Sequence, residues 1–265
     1  MKKLPHEKDV FFQYPLANFS TSVGDIELPI LYYDNSVFMA IYLIDIERAR
    51  SLVTDDRLDV VRCANNKAMV GISFYEYRHT AIGPYNEVGV AILVAPKGVA
   101  TPRIPLLTLL GPLDKNPMGF YIVDLPVTTA AACAAGKEVW GLPKFVAPIC
   151  FNLQGRHFSG SVKDPTASHP IVSFTGQGGL TIPGPLLDLP LYSVLDNKLL
   201  RALVNTRGGA KIMLGGSLRL DVHDESNHPM AERLRQLGLS QAKPLFACAS
   251  HSLQLRLNAG VPVQS

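Results

Sequence analysis

Lys144 stands in the segment Trp140-Gly141-Leu142-Pro143-Lys144-Phe145-Val146-Ala147, a single cation in apolar company directly after a Gly-x-Pro turn. A lysine head tolerates such surroundings when it reaches water or sheds its proton. The bland reading is a lysine that snorkels from the start of a strand. The chemical reading is an amine nucleophile, which must be neutral to attack a carbonyl carbon. An ordinary lysine titrates at about 10.4, so roughly 0.04% is neutral at pH 7, and bringing it to about 7 takes about 4.6 kcal/mol. Burial displaces lysine titration by up to about 3–5 pH units. A dry pocket walled by Trp140, Leu142 and Phe145 would therefore suffice without a second cation.

Glu87 is the second candidate, in Gly83-Pro84-Tyr85-Asn86-Glu87-Val88-Gly89-Val90-Ala91-Ile92. On an alternating strand Glu87, Gly89 and Ala91 share one face, and Val88, Val90 and Ile92 the other. The small residues beside the carboxyl leave room for a ligand, and a carboxyl there can move protons. The plain alternative is a solvent-facing glutamate on a half-buried strand.

Other constellations carry less. His223-Asp224-Glu225 with His228 contains ligating side chains, but a polar loop before Pro229 accounts for it, without the spacing of a metal site. Gly208-Gly209 and Gly215-Gly216 lack the residues of a phosphate loop. Gly176-Gln177-Gly178-Gly179 has no helix pattern after it, which disfavours dinucleotide binding. Ser250 and His251 are adjacent, so on a strand they face opposite ways and do not pair. Tyr75, Tyr77 and Tyr85 read as packing residues rather than acids, and Tyr85, two residues before Glu87, is also a candidate to touch the substrate.

The elements that must position Lys144 and Glu87 are mostly strands. Twenty prolines and 21 glycines divide the chain into short apolar runs. Strands are expected at Val37–Ile44, Leu58–Cys63, Met69–Arg78, Asn86–Ala95, Gly119–Leu125, Phe145–Leu153, His157–Val162, Ile171–Thr175, Lys211–Val222 and Leu245–Leu257. Helices are expected at Ile46–Val53 with Asp45 as N-cap, at Thr128–Ala135, at Asp196–Val204, and from Pro229 to about Leu237. Gly176–Pro190 reads as a long surface crossing. Helices do not alternate regularly with strands, so no parallel sheet is signalled. The expected class is a β-rich α+β fold, one domain over residues 1–265, with a large antiparallel barrel or double-barrel-like sheet and a few short helices.

Composition limits the partners. A chain of 265 residues with 47% hydrophobic content can bury a large core. A formal net charge of +3 with both signs mixed is not a nucleic-acid stripe. The short basic runs Met1–Lys3 and Glu232–Arg235 read as solvated surface. Apolar stretches are too interrupted to span a bilayer, and the start of the chain, with His6, Glu7, Lys8 and Asp9, has no apolar signal core. No membrane and a cytoplasmic location are the expectations. The four cysteines (Cys63, Cys133, Cys150, Cys248) form no C-x-x-C pair and are expected as reduced, buried thiols.

Taken together, Gly83-Pro84-Tyr85-Asn86-Glu87, Gly136-Lys137-Glu138, Pro143-Lys144 and Cys248-Ala249-Ser250-His251 resemble the acetoacetate decarboxylase family in order and spacing. The strand and helix over Val37–Val53 and the helix with Leu234 and Leu237 agree, so the resemblance covers roughly residues 28–257. It implies a double-barrel-like fold in a large homo-oligomer, with no metal and no organic cofactor. It also implies a small oxo-acid substrate held as a Schiff base on Lys144, with Glu87 as the active-site carboxyl. Hydrophobic activation of the lysine in acetoacetate decarboxylase is an established example of this chemistry.

Three positions depart from the family pattern. Phe145 stands where a second lysine follows the first, Asn35 where an arginine precedes the first long strand, and Ile72 where an acidic residue lies fifteen positions before Glu87. Carboxylate recognition is then left to Arg78, His79 or Arg207. Decarboxylation of a 3-oxo acid is the leading expectation. The alternatives are aldol or dehydration chemistry on a pyruvate-like 2-oxo acid, and a binding protein without turnover.

Overall fold

Alternation of large apolar residues with small or polar ones sets the architecture. The computed structural model describes residues 9–102, 105–109, 111, 116–167 and 169–263. Met1–Lys3 and His6–Lys8 lie outside them. Seven strands close a barrel: β1 (Ile30–Asp45), β2 (Lys67–Thr80), β3 (Tyr85–Pro96), β4 (Gly119–Val127), β5 (Leu189–Leu195), β6 (Lys198–Arg207) and β7 (Phe246–Leu257). Their order around the barrel is β7, β1, β2, β3, β4, β5, β6, and the β6–β7 pairing closes it. Neighbours are antiparallel except β4 and β5, which meet in parallel at Phe120 and Leu191.

The barrel wall has two apolar faces. Inward, Val37 of β1, Tyr77 of β2, Leu125 of β4 and Leu255 of β7 belong to one core. Outward, Phe38, Phe74, Val88 and Val90 belong to another, covered by a second sheet made of Ile149–Gln154, His157–Lys163, Pro170–Pro185 and Arg219–Val222. Phe158 of that sheet stacks on Phe38 with ring centres 4.0 Å apart. A strand buried on both sides needs a near-continuous apolar sequence, which is what Val88–Ala95 provides.

The four α-helices among the described residues are short. Asp45 Oδ1 accepts from Glu47 N at 2.9 Å and caps α1 (Ile46–Arg50), three residues shorter than expected. One further turn, α2, spans Pro105–Thr108. Thr129 caps α3 (Ala130–Trp140), which runs five residues past the expected end. Pro229 opens α4 (Pro229–Gln236), with Gly238 at φ +71° beyond its end.

Two expectations are overturned. Asp196–Val204 is not a helix: Asp196 and Asn197 adopt positive φ (49° and 61°) in a tight turn, and Lys198–Arg207 returns as β6 against β5. Aspartate and asparagine tolerate the left-handed region, and two such residues in succession make a hairpin turn. Gly176–Pro190 is not a surface crossing. Residues up to Pro185 continue the long strand, which pairs with His157–Lys163 and Arg219–Val222 and then with Gly209–Gly216. Gly176 sits at the switch (φ +133°), where a Cβ would lie 2.3 Å from the Ser217 carbonyl oxygen. The glycines permit a crossing of backbones, not a loop.

All four cysteines are free; Cys150 is exposed and Cys63, Cys133 and Cys248 are half-buried, short of the buried thiols expected. No described helix is long and apolar enough to cross a membrane.

Candidate active site

Lys144 opens a three-residue strand that pairs in parallel with β4 at Leu125. Three features aim it. Helix α3 stops at Gly141, whose φ of +67° turns the chain back. Leu142 N–H donates to the Gly136 carbonyl at 3.0 Å, and Lys144 N–H to the Leu142 carbonyl at 2.7 Å. Pro143 then fixes the approach to the strand. The side chain enters the barrel and is 6% exposed.

Glu87 comes from β3, opposite Tyr75 of β2 and Val127 of β4. The expected alternation holds here: Glu87, Gly89 and Ala91 line the barrel cavity, while Val88, Val90 and Ile92 enter the outer core. Lys144 Nζ donates to Glu87 Oε2 at 2.6 Å, and the Tyr77 hydroxyl donates to Glu87 Oε1 at 3.0 Å. Glu87 is 7% exposed. A buried pair of this kind is held by mutual attraction against a large desolvation cost, so removing either partner is expensive.

Aromatic hydroxyls surround the pair. The Tyr85 ring centre lies 5.8 Å from Lys144 Nζ, and the Tyr32 and Tyr85 hydroxyls are 2.9 Å apart. Tyr75 stacks on Tyr77 with ring centres 5.3 Å apart. Burial, reinforced by the Glu87 charge, raises Tyr32 and Tyr77; burial and the neighbouring Tyr32 and Glu87 raise Tyr85. Burial pushes Tyr75 up to about 12. At neutral pH these phenols are donors, not bases.

The cavity beside Nζ has a volume of about 110 Å³. Gly71, Ser73, Gly89 and Ala91 make room for it, and Ile122, Leu125 and Leu142 give it apolar walls. Lys144 and Glu87 are the charged groups among its described lining residues. An amine, a carboxyl and hydroxyl donors in an apolar chamber are equipped to add a nitrogen to a carbonyl and to move the protons this requires.

The structure separates the sequence candidates. Lys144, Glu87 and Leu142 line the cavity, and Tyr85 stands beside the lysine without lining it. Trp140 does not line the cavity; its indole N–H donates to the Asn258 carbonyl at 3.0 Å, anchoring α3. Phe145 points to the opposite side of its strand, with its ring centre 4.9 Å from that of His228. Arg78 is not in the chamber: it binds Asp34 at 2.6 and 2.9 Å and Glu76 at 2.7 Å on the surface. His79 packs on Tyr33, and Arg207 pairs with Asp9 and lies over Phe11. Asn35 is fully buried and donates to the Leu253 carbonyl at 2.9 Å, while Ile72 faces the outer core.

Residues with ligand-like side chains have other places. His223 meets Ser173 at 2.9 Å, and His228 Nδ1 accepts from Met230 N at the start of α4. Among the described residues no three metal-ligating side chains converge. Ser250 donates to the Gly209 carbonyl and His251 meets Ser36, so the two do not pair. Tyr32 and Tyr77 belong to the site although no sequence motif marks them, and Tyr77 does more than pack. The alternation that placed Glu87 inward also pairs Tyr77 with Tyr85 across β2 and β3, which is the signal that could have found it.

A family model described as acetoacetate decarboxylase (ADC) matches residues 14–230, and the chain belongs to that family. Among solved structures, an acetoacetate decarboxylase from Legionella pneumophila subsp. pneumophila str. Philadelphia 1 is similar at 17% identity and TM-score 0.63, over 100% of this chain and 98% of that one. The enduracididine biosynthesis enzyme MppR complexed with pyruvate is similar at 14% identity and TM-score 0.62, over 95% and 99%. An acetoacetate decarboxylase-like enzyme from Sphingomonas wittichii RW1 has 11% identity and TM-score 0.60, over 89% and 92%. At these identities the likeness is one of fold. No curated protein sequence matches the chain.

Proposed function

We propose that the protein is a cofactor-independent lyase that decarboxylates a 3-oxo acid through a Schiff base on Lys144. The observation that carries this reading is the Lys144 amine, 2.6 Å from a buried carboxyl at the edge of an apolar cavity. Transfer of one proton from Nζ to Oε2 turns the ion pair into a neutral amine and a carboxylic acid. The amine adds to the C3 carbonyl carbon. Glu87, now the acid, protonates the hydroxyl of the adduct, water leaves, and a cationic iminium remains beside the Glu87 carboxylate.

The C1–C2 bond then breaks. Its electron pair moves into the iminium to give a neutral enamine, and carbon dioxide departs. Opposite charges on the bound substrate cancel in this step, so an apolar surrounding favours it over the charged state before it. A solvent proton is added at C2, and water hydrolyses the resulting iminium to free Lys144 and a methyl ketone.

A second reading has its own support, since the structural neighbour MppR was solved with pyruvate and with the condensation product of pyruvate and imidazole 4-carboxaldehyde. There the lysine would take the C2 carbonyl of a 2-oxo acid, and Glu87 would remove a C3 proton to form the nucleophilic enamine. Borohydride reduction in the presence of acetoacetate, and separately of pyruvate, followed by peptide mapping, tests both. An adduct on Lys144 with acetone release supports the decarboxylase. An adduct with pyruvate and aldehyde-dependent product supports the alternative. Modification of another lysine, or of none, removes the Schiff-base mechanism.

A further inference from the structure

A second cavity of about 350 Å³ adjoins the Lys144 chamber. The two share Met39, Ile41, Tyr75, Phe120, Leu189, Val204 and Leu255 along their common wall. Beyond that wall the larger one is lined by Val37, Leu186, Ile212, Phe246, Cys248 and Leu253 among others, and no charged side chain occurs among its described lining residues. Its outer margin includes Leu214, which is 43% exposed. Burial raises the Cys248 thiol to about 11, so that side chain is a neutral wall group and not a nucleophile.

Volume and chemistry identify an occupant. An aliphatic cavity of about 150 Å³ stays dry and holds benzene. This one is more than twice that size and shares seven lining residues with the reacting chamber, whereas the 110 Å³ chamber by itself fits a compact oxo acid. We infer that the substrate carries an unbranched alkyl chain on the carbonyl side away from its carboxylate, and that this chain occupies the second cavity while Lys144 holds the carbonyl. Taking a methylene as about the size of a water, whose share of liquid volume is about 30 Å³, the cavity holds at most roughly twelve carbons, so a chain of about six to eight fits with room to spare. The inference rests on the Lys144 carbonyl chemistry proposed above and names its substrate class: a medium-chain 3-oxo acid, R–CO–CH₂–COO⁻. This takes up one proton and gives R–CO–CH₃ and carbon dioxide. The reaction that supplies such a substrate releases a free 3-oxo acid from an activated acyl carrier.

The test compares 3-oxobutanoate with the 3-oxo acids of six, eight and ten carbons, measuring methyl ketone formation. In parallel, acetone and the longer 2-alkanones are trapped on the enzyme by cyanoborohydride. Each buried methylene is expected to raise kcat/KM and trapping efficiency about fourfold, or about 250-fold from four to eight carbons. A flat or falling series, with trapping at Lys144 intact, overturns the alkyl site and leaves the Schiff-base reading standing. Chain-length-dependent trapping without ketone formation from the oxo acids supports the alkyl site and overturns decarboxylation. Failure of every ketone to trap on Lys144 takes both down. Leu186→Trp and Cys248→Phe, two independent ways of filling the second cavity, are each expected to lower the eight-to-four-carbon preference by at least about tenfold. An unchanged preference in both folded variants would sink the assignment.

Discussion

Gly136 of α3 lies directly against the stem of Lys144: a Cβ at position 136 would sit 2.3 Å from both Cδ and Cε of the lysine. This gives the Gly136-Lys137-Glu138 motif a physical meaning. Gly136 leaves the space through which the lysine reaches the cavity. Glu138 receives the Ser22 N–H at 2.9 Å and the Ser22 hydroxyl at 2.5 Å, tying the Ala17–Leu28 hairpin to the same helix, while Lys137 is exposed.

Gly136→Ala is therefore expected to separate stability from activity. Alanine in a helix gains up to about 1 kcal/mol over glycine. The new methyl must push a buried lysine stem aside, and a displacement of about 1 Å at a reacting group costs roughly 100-fold in rate. Denaturant titration alongside borohydride trapping checks it. Wild-type trapping in the alanine variant would show that the stem has another route.

Removing one member of the Lys144–Glu87 pair strands the other. Lys144→Met is expected to cost about 3–5 kcal/mol of stability and to abolish trapping. Lys144→Met with Glu87→Leu is expected to recover most of the stability while remaining unable to trap. Urea midpoints of the single and double variants measure this, and a double variant no more stable than the single would refute the buried-pair account.

Tyr32, Tyr75, Tyr77 and Tyr85 are raised above the ordinary tyrosine value, mainly by burial. The unfolded chain then releases these phenolic protons before the folded one does. Their contribution to stability is complete below pH 10 and is lost as pH rises above it, by up to about 1.4 kcal/mol per pH unit for each tyrosine. Unfolding free energy is expected to fall steeply between pH 10 and 12, with the four phenols silent in the folded-state ultraviolet titration up to about pH 11. Early titration of all nine tyrosines would contradict their burial.

Arg78 is engaged by Asp34 and Glu76 outside the barrel. Arg78→Met is expected to change KM for any oxo acid less than about twofold, since exposed ion pairs contribute little even to stability. A large rise in KM would return Arg78 to substrate recognition and require a surface rearrangement that brings it to the cavity.

The turn at Asp196–Asn197 offers a check on the fold. Asn197→Val places a β-branched residue at φ +61° and is expected to cost about 1–2 kcal/mol, whereas Asn197→Gly is tolerated. Thermal melting of the two variants distinguishes a hairpin from the helix that residues 196–204 suggest by composition.

Local physics made several features legible without coordinates. Asp45 announced a helix start because its short side chain accepts a backbone N–H group. Period-two alternation turned Glu87 inward with Gly89 and Ala91 because successive strand residues face opposite sides. Pro143-Lys144 stood out because a lone cation among apolar residues needs a reason. Alternation at Lys144 also excludes Phe145 from the cavity, a step that apolar character alone obscured.

What only the tertiary structure decided is how distant segments meet. Glu87 and Lys144 are 57 residues apart, and their 2.6 Å contact depends on β3, β4 and the Lys144 strand lying side by side. Arg78 looked available because sequence does not reveal that Asp34 binds it from the neighbouring strand. The Gly176 stretch looked like a loop because the backbone it crosses lies some forty residues further along, at Ser217. Propensity and alternation act within a few residues, so they fixed local elements and side-chain faces. Cavities and ion pairs arise from barrel closure, where packing between strands remote in sequence determines which groups lose water.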